Sequence, residues 1–163
     1  MVMTRLLKHL FIPDWIARRP FPPAVLRRIG EAIRASESKH RGELRFAIEA
    51  GLHLGHLRMS PRQRARQVFA ELGVWDTEEN SGVLVYVQLV DRKIEIVTDR
   101  GIAKRVEQSE WEKVCRTMER SFKEGRFEAG AIEAIESVTE ILTRHFPARG
   151  ANPNELPDKP VVL

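Results

Sequence analysis

The sequence has very little cysteine: Cys115 is the only one in 163 residues. It cannot form an internal disulfide, so the fold must rest on its core, which suits a reducing, cytoplasmic setting. Long apolar runs are missing too, and no stretch approaches the roughly 20 apolar residues of a membrane-spanning helix. At the N-terminus Arg5 and Lys8 interrupt the apolar residues, and no signal-peptide core comes after them. There is no Gly-x-x-x-x-Gly-Lys phosphate loop, no Gly-x-Gly-x-x-Gly fingerprint and no Gly-x-Ser-x-Gly elbow. This argues against the usual ATP and NAD chemistries and against a nucleotide cofactor. Internal repeats and low-complexity tracts are absent as well.

What is present is ordinary globular material, 42% hydrophobic and 31% charged, of a length that fits one domain. The net charge of +4 invites a nucleic-acid or anionic-membrane reading. Its basic residues scatter, however, over Arg18/Arg19, Arg27/Arg28 and Arg58/Arg62/Arg64/Arg66. No aromatic residues interleave with them, which argues against nucleic acid. Leu6, Leu7, Leu10 and Phe11 would form one face of a short helix, and Pro13, Pro20, Pro22 and Pro23 punctuate the chain beyond it. This basic arm, residues 1–21, either docks on its own domain or a twin, or makes peripheral contact with an anionic membrane through residues 1–20.

From Pro23 the residues Val25, Leu26, Ile29, Ala32 and Ile33 keep the helical period, ending near 38–42. Residues 43–50 alternate, with Leu44, Phe46 and Ile48 opposed to Arg45, Ala47 and Glu49, as a strand does. Ser60, Pro61 and Gln63 give a capping box with proline at the first helical position, and Gly73 is placed to end that helix. Residues 83–90 are an almost unbroken apolar run, read as a strand buried on both faces and central in its sheet. A reversal at 91–92 leads into the strand 93–98, and 99–101 reads as a turn. Ser109 and Glu112 give a second capping box before Trp111, Val114, Cys115, Met118 and Phe122; a last helix runs from Phe127 to His145. The first two strands with the helix between them form a β-α-β unit, so they should be parallel. The expected class is α/β, a three-layer α/β/α sandwich with a small mixed β-sheet flanked by helices. The domain spans 22–147, and 148–163 is a Pro/Asn/Gly tail with an apolar end.

Cys115 falls on an apolar stripe and reads as a packed thiol. His53 and His56, even with Glu49, lack a certain third metal ligand and read as loop surface. His145 would serve the last carbonyls of its helix. The acidic loop is the stronger constellation. Asp76, Glu78, Glu79 and Asn80 precede the central strand, and Asp99 comes just after its hairpin partner, so the hairpin returns both to one end of the sheet. Oxygen donors converging there suit a hard cation such as calcium, which takes about six to eight oxygens. The competing reading is a loop that is acidic because it is wet. Asn80 and Gly82 are then turn residues, and Asp99 caps the turn after it.

The segments Asn80-Ser81-Gly82-Val83-Leu84-Val85, Asp91-Arg92-Lys93-Ile94-Glu95-Ile96 and Asp99-Arg100-Gly101-Ile102 together resemble the TPM domain. That family is named for a thylakoid lumen protein, a photosystem II repair protein and a receptor-modulating membrane protein. The resemblance continues through Trp111, Phe122, Gly125, Phe127 and Gly130, covers about Pro22 to Phe146, and extends to an ending like Asn154-Glu155-Leu156-Pro157-Asp158. Many relatives have a Gly-x-Gly turn where this chain has Asp99-Arg100-Gly101, and many carry a signal peptide and a membrane anchor; this chain looks like the short soluble bacterial branch. The resemblance implies an α/β/α sandwich with a calcium site at one end of the sheet, carried here on 76–82 and Asp99. It also implies weak phosphatase activity in some members and protein partners at membranes in others.

The expectation is therefore a cation-binding protein-interaction module. Asp76, Glu78, Asn80 and Asp99 are its metal ligands, with Glu110 as a further candidate. Arg100 is placed to hold a carboxylate or a phosphorylated partner. A weak metal-dependent phosphatase acting on phosphomonoesters is the alternative, with Arg100 clamping the phosphate. Against efficient hydrolysis, no Cys or Ser nucleophile pairs with a base. A third reading is a basic membrane-surface or nucleic-acid binder using Arg5, Lys8, Arg18 and Arg19.

Overall fold

In the computed structural model, which describes residues 2–163, the first elements are α1 (Val2–Phe11), α2 (Asp14–Ala17) and α3 (Pro23–Glu37). The side chains of residues 2–6 and of Leu54 are not described, so the expectations for Arg5 and Leu6 lie outside the described residues. Next come β1 (Glu43–Glu49), α4 (Pro61–Glu71), β2 (Gly82–Gln88) and β3 (Lys93–Thr98). The chain closes with α5 (Arg100–Ala103), α6 (Gln108–Lys123), α7 (Phe127–His145) and β4 (Val161–Val162). Among the described residues no helix is long and apolar enough to cross a membrane.

The sheet order is β3-β2-β1-β4. β1 runs parallel to β2, and β2 turns back antiparallel into β3. Side chains two apart share a face, so Phe46, Val85 and Ile96 stand in register across three strands. On that face they meet Ile29 and Ile33 of α3, Trp111 and Met118 of α6 and Ile135 and Val138 of α7 in the larger core. The opposite face carries Ala47, Leu84, Tyr86 and Val97 against Ala65 and Val68 of α4 and against Leu156. The three-layer α/β sandwich results from these two cores.

Several expectations change. The last apolar residues are a fourth strand: Val161 and Val162 pair parallel with Ala47 and Ile48, and the Leu163 N–H donates to the Ile48 carbonyl at 2.8 Å. With β4 on its outer side, β1 is interior, and all seven of its residues are buried. β2 therefore shares the centre of the sheet. Asp99 does not lead into a simple turn; it is the N-cap of α5, its carboxylate accepting from the Arg100 N–H at 2.7 Å. The second capping box does not form, because α6 starts two residues earlier with Glu107 as N-cap and no side-chain cap bond. The first does form, with Ser60 and Gln63 bonded reciprocally and Pro61 opening α4.

Arg64 is not part of the basic surface. It is 4% exposed and holds Glu49 through both Nε and Nη2. Tyr86 donates its hydroxyl to the same carboxylate. Glu49 is therefore committed and cannot join His53 and His56. At the end of α7, Arg105 donates to the His145 carbonyl at 3.3 Å, while His145 Nε2 is buried without a hydrogen-bond partner among the described residues.

Candidate functional site

The acidic loop is built by backbone before any side chain acts. Gly73 ends α4 in the left-handed region at φ 64°, and the next residue, Val74, is fully buried. Thr77 then anchors a turn: its carbonyl accepts from Asn80 N–H at 3.2 Å and its hydroxyl from Ser81 N–H at 2.9 Å. Asn80 takes φ 53°, a conformation that Asn tolerates better than most residues. Gly82 opens β2 hard against the Val74 carbonyl; a Cβ there would lie 1.9 Å from that oxygen.

The hairpin brings α5 under this loop. The Gly101 N–H donates to the Asn80 carbonyl at 3.1 Å, and Asp99 N–H donates to the Gly82 carbonyl at 2.9 Å. A Cβ on Gly101 would sit 2.5 Å from the Asn80 oxygen and 2.7 Å from the Glu79 oxygen. The close approach therefore requires glycine. Arg100 Nε donates to Asn80 Oδ1 at 2.9 Å. Asp99 Oδ1 caps α5, whereas Asp99 Oδ2 is buried with no hydrogen-bond partner among the described residues.

Asn80, Asp99 and Arg100 are thus brought together, as the hairpin geometry implies. Asp76 and Glu78 are exposed, and their carboxylates enter no hydrogen bond or ion pair among the described residues. Glu110 is turned to other use, accepting from Arg144 at 3.4 Å. Among the described residues no three His, Cys, Asp or Glu side chains are grouped to hold a metal ion. Residues that spacing did not point to complete this end of the sheet. Arg41, just ahead of β1, binds the Glu79 carboxylate and donates to the Pro147 carbonyl at 3.1 Å. Glu155 accepts from the Glu78 N–H at 2.9 Å. With Arg149 and Asn152 they line a polar cavity of about 200 Å³. Cys115 is remote chemistry: burial pushes its thiol up to about 12, far from a nucleophile's range.

The family model of the TPM domain matches residues 21–141. The NMR structure of BA42 protein from the psychrophilic bacterium Bizionia argentinensis is similar at a TM-score of 0.78 and 28% identity, covering 87% of this chain and 94% of that one. The NMR structure of the N-terminal domain of a protein from P. gingivalis is similar at a TM-score of 0.63 and 17% identity, covering 80% and 83%. It speaks for the fold alone. The curated proteins offer no match. The matched segment takes in most of both cores of the sandwich, the acidic loop and α5, and the chain belongs to the TPM-domain family.

Proposed function

We propose that this TPM domain is a binding module whose acidic end takes up a hard cation, calcium by chemistry, and through it a protein partner. The observation that carries the reading is Asp99 Oδ2, a carboxylate oxygen closed off from solvent and given no donor. A buried acceptor left in that state costs about 1–3 kcal/mol, and more when charged. A cation would remove that cost. The uncommitted carboxylates of Asp76 and Glu78 and the carbonyls of the 77–80 turn supply the oxygens calcium prefers. Arg100 and Arg41 hold Asn80 and Glu79, so an incoming cation competes with both. A cytoplasmic setting belongs to the same reading and rests on the single buried thiol.

Calcium titration followed by amide NMR tests it. Shifts are expected at residues 76–82 and 99–101, to be lost in Asp99→Ala. Arg100→Ala is expected to tighten binding by severalfold, because it frees the Asn80 oxygen and removes a charge. Shifts that are absent at millimolar calcium, or unchanged in Asp99→Ala, overturn the proposal. The second reading, weak hydrolysis of phosphomonoesters, draws on Arg41 and Arg149 facing one polar cavity with Glu78 and Glu155. It requires a lower rate on a chromogenic phosphate ester in Arg149→Ala than in the parent protein.

A further inference from the structure

Amphipathic helices normally turn their apolar side to the body they dock on. The N-terminal arm does the reverse. α1 is moored through a polar side chain: His9, its side chain only 1% exposed, accepts from the Leu52 N–H at 2.9 Å and meets Asp91 Oδ1 at 3.1 Å. The Leu52 N–H takes Nδ1 as acceptor, so the proton sits on Nε2 and is given to Asp91. Fixed in this way, α1 and α2 direct Leu7, Leu10, Phe11, Trp15 and Ile16 outward, at 46, 68, 71, 66 and 42% exposure. These are five of the six exposed large hydrophobic side chains among the described residues, the other being Trp75. Concentrated patches of this kind mark interaction surfaces.

The charges around the patch say what covers it. The side chains of Lys8 and Arg19 on the arm are exposed and enter no hydrogen bond or ion pair among the described residues. Beside the arm, an apolar cleft of about 390 Å³ is lined by Ile12, Ile16, Phe122 and Phe127. Arg92, Lys93 and Lys123 also line it. Lys93 pairs with Glu119 at 3.7 Å, but the side chains of Arg92 and Lys123 have no partner among the described residues. Arg92 is held at φ 53°, where a non-glycine residue is uncommon and mildly strained. On the arm itself the one exposed acid is Asp14. A two-fold pairing with a second copy would set this patch against itself, cations facing cations. An anionic lipid surface meets the apolar side chains and the free cations together.

We propose that α1 and α2 dock the protein on anionic bilayers, lying in the interface with Leu10, Phe11 and Trp15 inserted and Lys8, Arg19, Arg92 and Lys123 toward the headgroups. This is independent of the cation site. The test is sedimentation with vesicles of phosphatidylcholine alone and of phosphatidylcholine with phosphatidylglycerol, at low and high salt. Binding is expected to the anionic vesicles, with a blue shift of emission that Trp15→Phe abolishes and Trp75→Phe leaves in place. High salt weakens it, and Lys8→Glu with Arg19→Glu weakens it by roughly tenfold or more. Leu10→Ser with Phe11→Ser, both at exposed positions, abolishes binding with no change in the thermal midpoint. Equal binding to neutral and anionic vesicles overturns the proposal, as does binding to neither. A concentration-dependent dimer that Leu10→Ser with Phe11→Ser dissolves, without vesicle binding, also overturns it and assigns the face to a second copy.

Discussion

Glu37 lies at the end of α3 with its carboxylate turned inward, accepting from the Leu44 N–H at 3.0 Å. Burial, with Glu43 and Asp158 close by, raises its pKa from 4.5 to about 8. Arg45 interacts electrostatically with Glu37, and Arg34 holds Asp158 at 3.0 Å. Three residues on, His40 is held neutral in a complete relay. The Gly42 N–H donates to Nδ1, Nε2 faces Ser36 Oγ at 2.8 Å, and Ser36 meets Thr139 at 2.6 Å. Burial lowers the His40 pKa to about 4. The two groups pull stability in opposite directions. Glu37, raised, contributes fully below pH 4.5 and loses that contribution as pH climbs through 8. His40, lowered, contributes fully above pH 6.5 and loses it as pH falls through 4. From 4.5 to 6.5 they offset one another, and above 6.5 Glu37 acts alone. Stability should therefore fall between pH 6.5 and 8, by up to about 1.4 kcal/mol per pH unit. Glu37→Gln keeps the acceptor for Leu44 and should flatten most of that fall in urea titrations at stepped pH; an unchanged slope would remove Glu37 as the cause. At this scale the sequence was least legible. Arg64 read as part of a scattered basic surface, and nothing marked Glu37 or Arg45 as buried, because local spacing reports only which side of an element a residue faces. The cover on that side is contributed by distant chain. For the candidate site, Asp99 and Asn80 were legible since hairpin geometry alone places them. Arg41 and Glu155 were not, being brought in by the start of β1 and by the C-terminal segment.

The C-terminal segment shows most clearly how an element can be invisible locally and decisive in the fold. α4 covers the second face of the sheet over β2 and β3, leaving the β1 side open. Residues 154–163 close it. Leu156 packs into the smaller core, Arg45 donates to the Pro157 and Lys159 carbonyls, and β4 takes the edge of β1. Arg18 then reaches the Leu163 main-chain oxygen at 2.8 Å, tying α2 to the new edge. Removing residues 161–163 should cost about 1–3 kcal/mol, from a few main-chain hydrogen bonds at roughly 1 kcal/mol each and the lost apolar contact. It should also bare the β1 edge to other chains. A lower urea midpoint together with greater light scattering at high protein concentration would bear this out; an unaltered midpoint would make β4 ornamental. The long helices and the first three strands were readable because each carries its own period, whereas the four-residue α2 and α5 are too short to show one. A two-residue strand has no period to read. The misread start of α6 has a similar cause: Ser109 and Glu112 have capping-box spacing, but the chain leaving α5 reaches helical geometry two residues sooner, which places Ser109 inside the first turn.

Across the whole molecule, the two cores are not separate units. β1 and β2 give alternate side chains to each, so Phe46 and Val85 belong to the larger core while their neighbours Ala47 and Leu84 belong to the smaller. A strand cannot leave one core and remain in the other. Loss of packing on either face should therefore lower one shared transition. Leu156→Ala is a clean probe, since Leu156 is 7% exposed, sits in the smaller core and lies far along the chain from α6. Deleting a buried leucine side chain costs about 2–5 kcal/mol, and the lower figure suits a site at the margin of its core. The readout belongs on the opposite face. Trp111, 1% exposed in the larger core, reports that side by its fluorescence, while Trp15 and Trp75 are already exposed and change little on unfolding. In urea, the Trp111 signal and the far-UV circular dichroism should move together to a lower midpoint in Leu156→Ala. Should the Trp111 transition hold its position while the dichroism splits into two steps, the smaller core would be melting alone. The acidic loop, which hangs from Val74 in that core, would then be free to reorganise without unfolding the sheet.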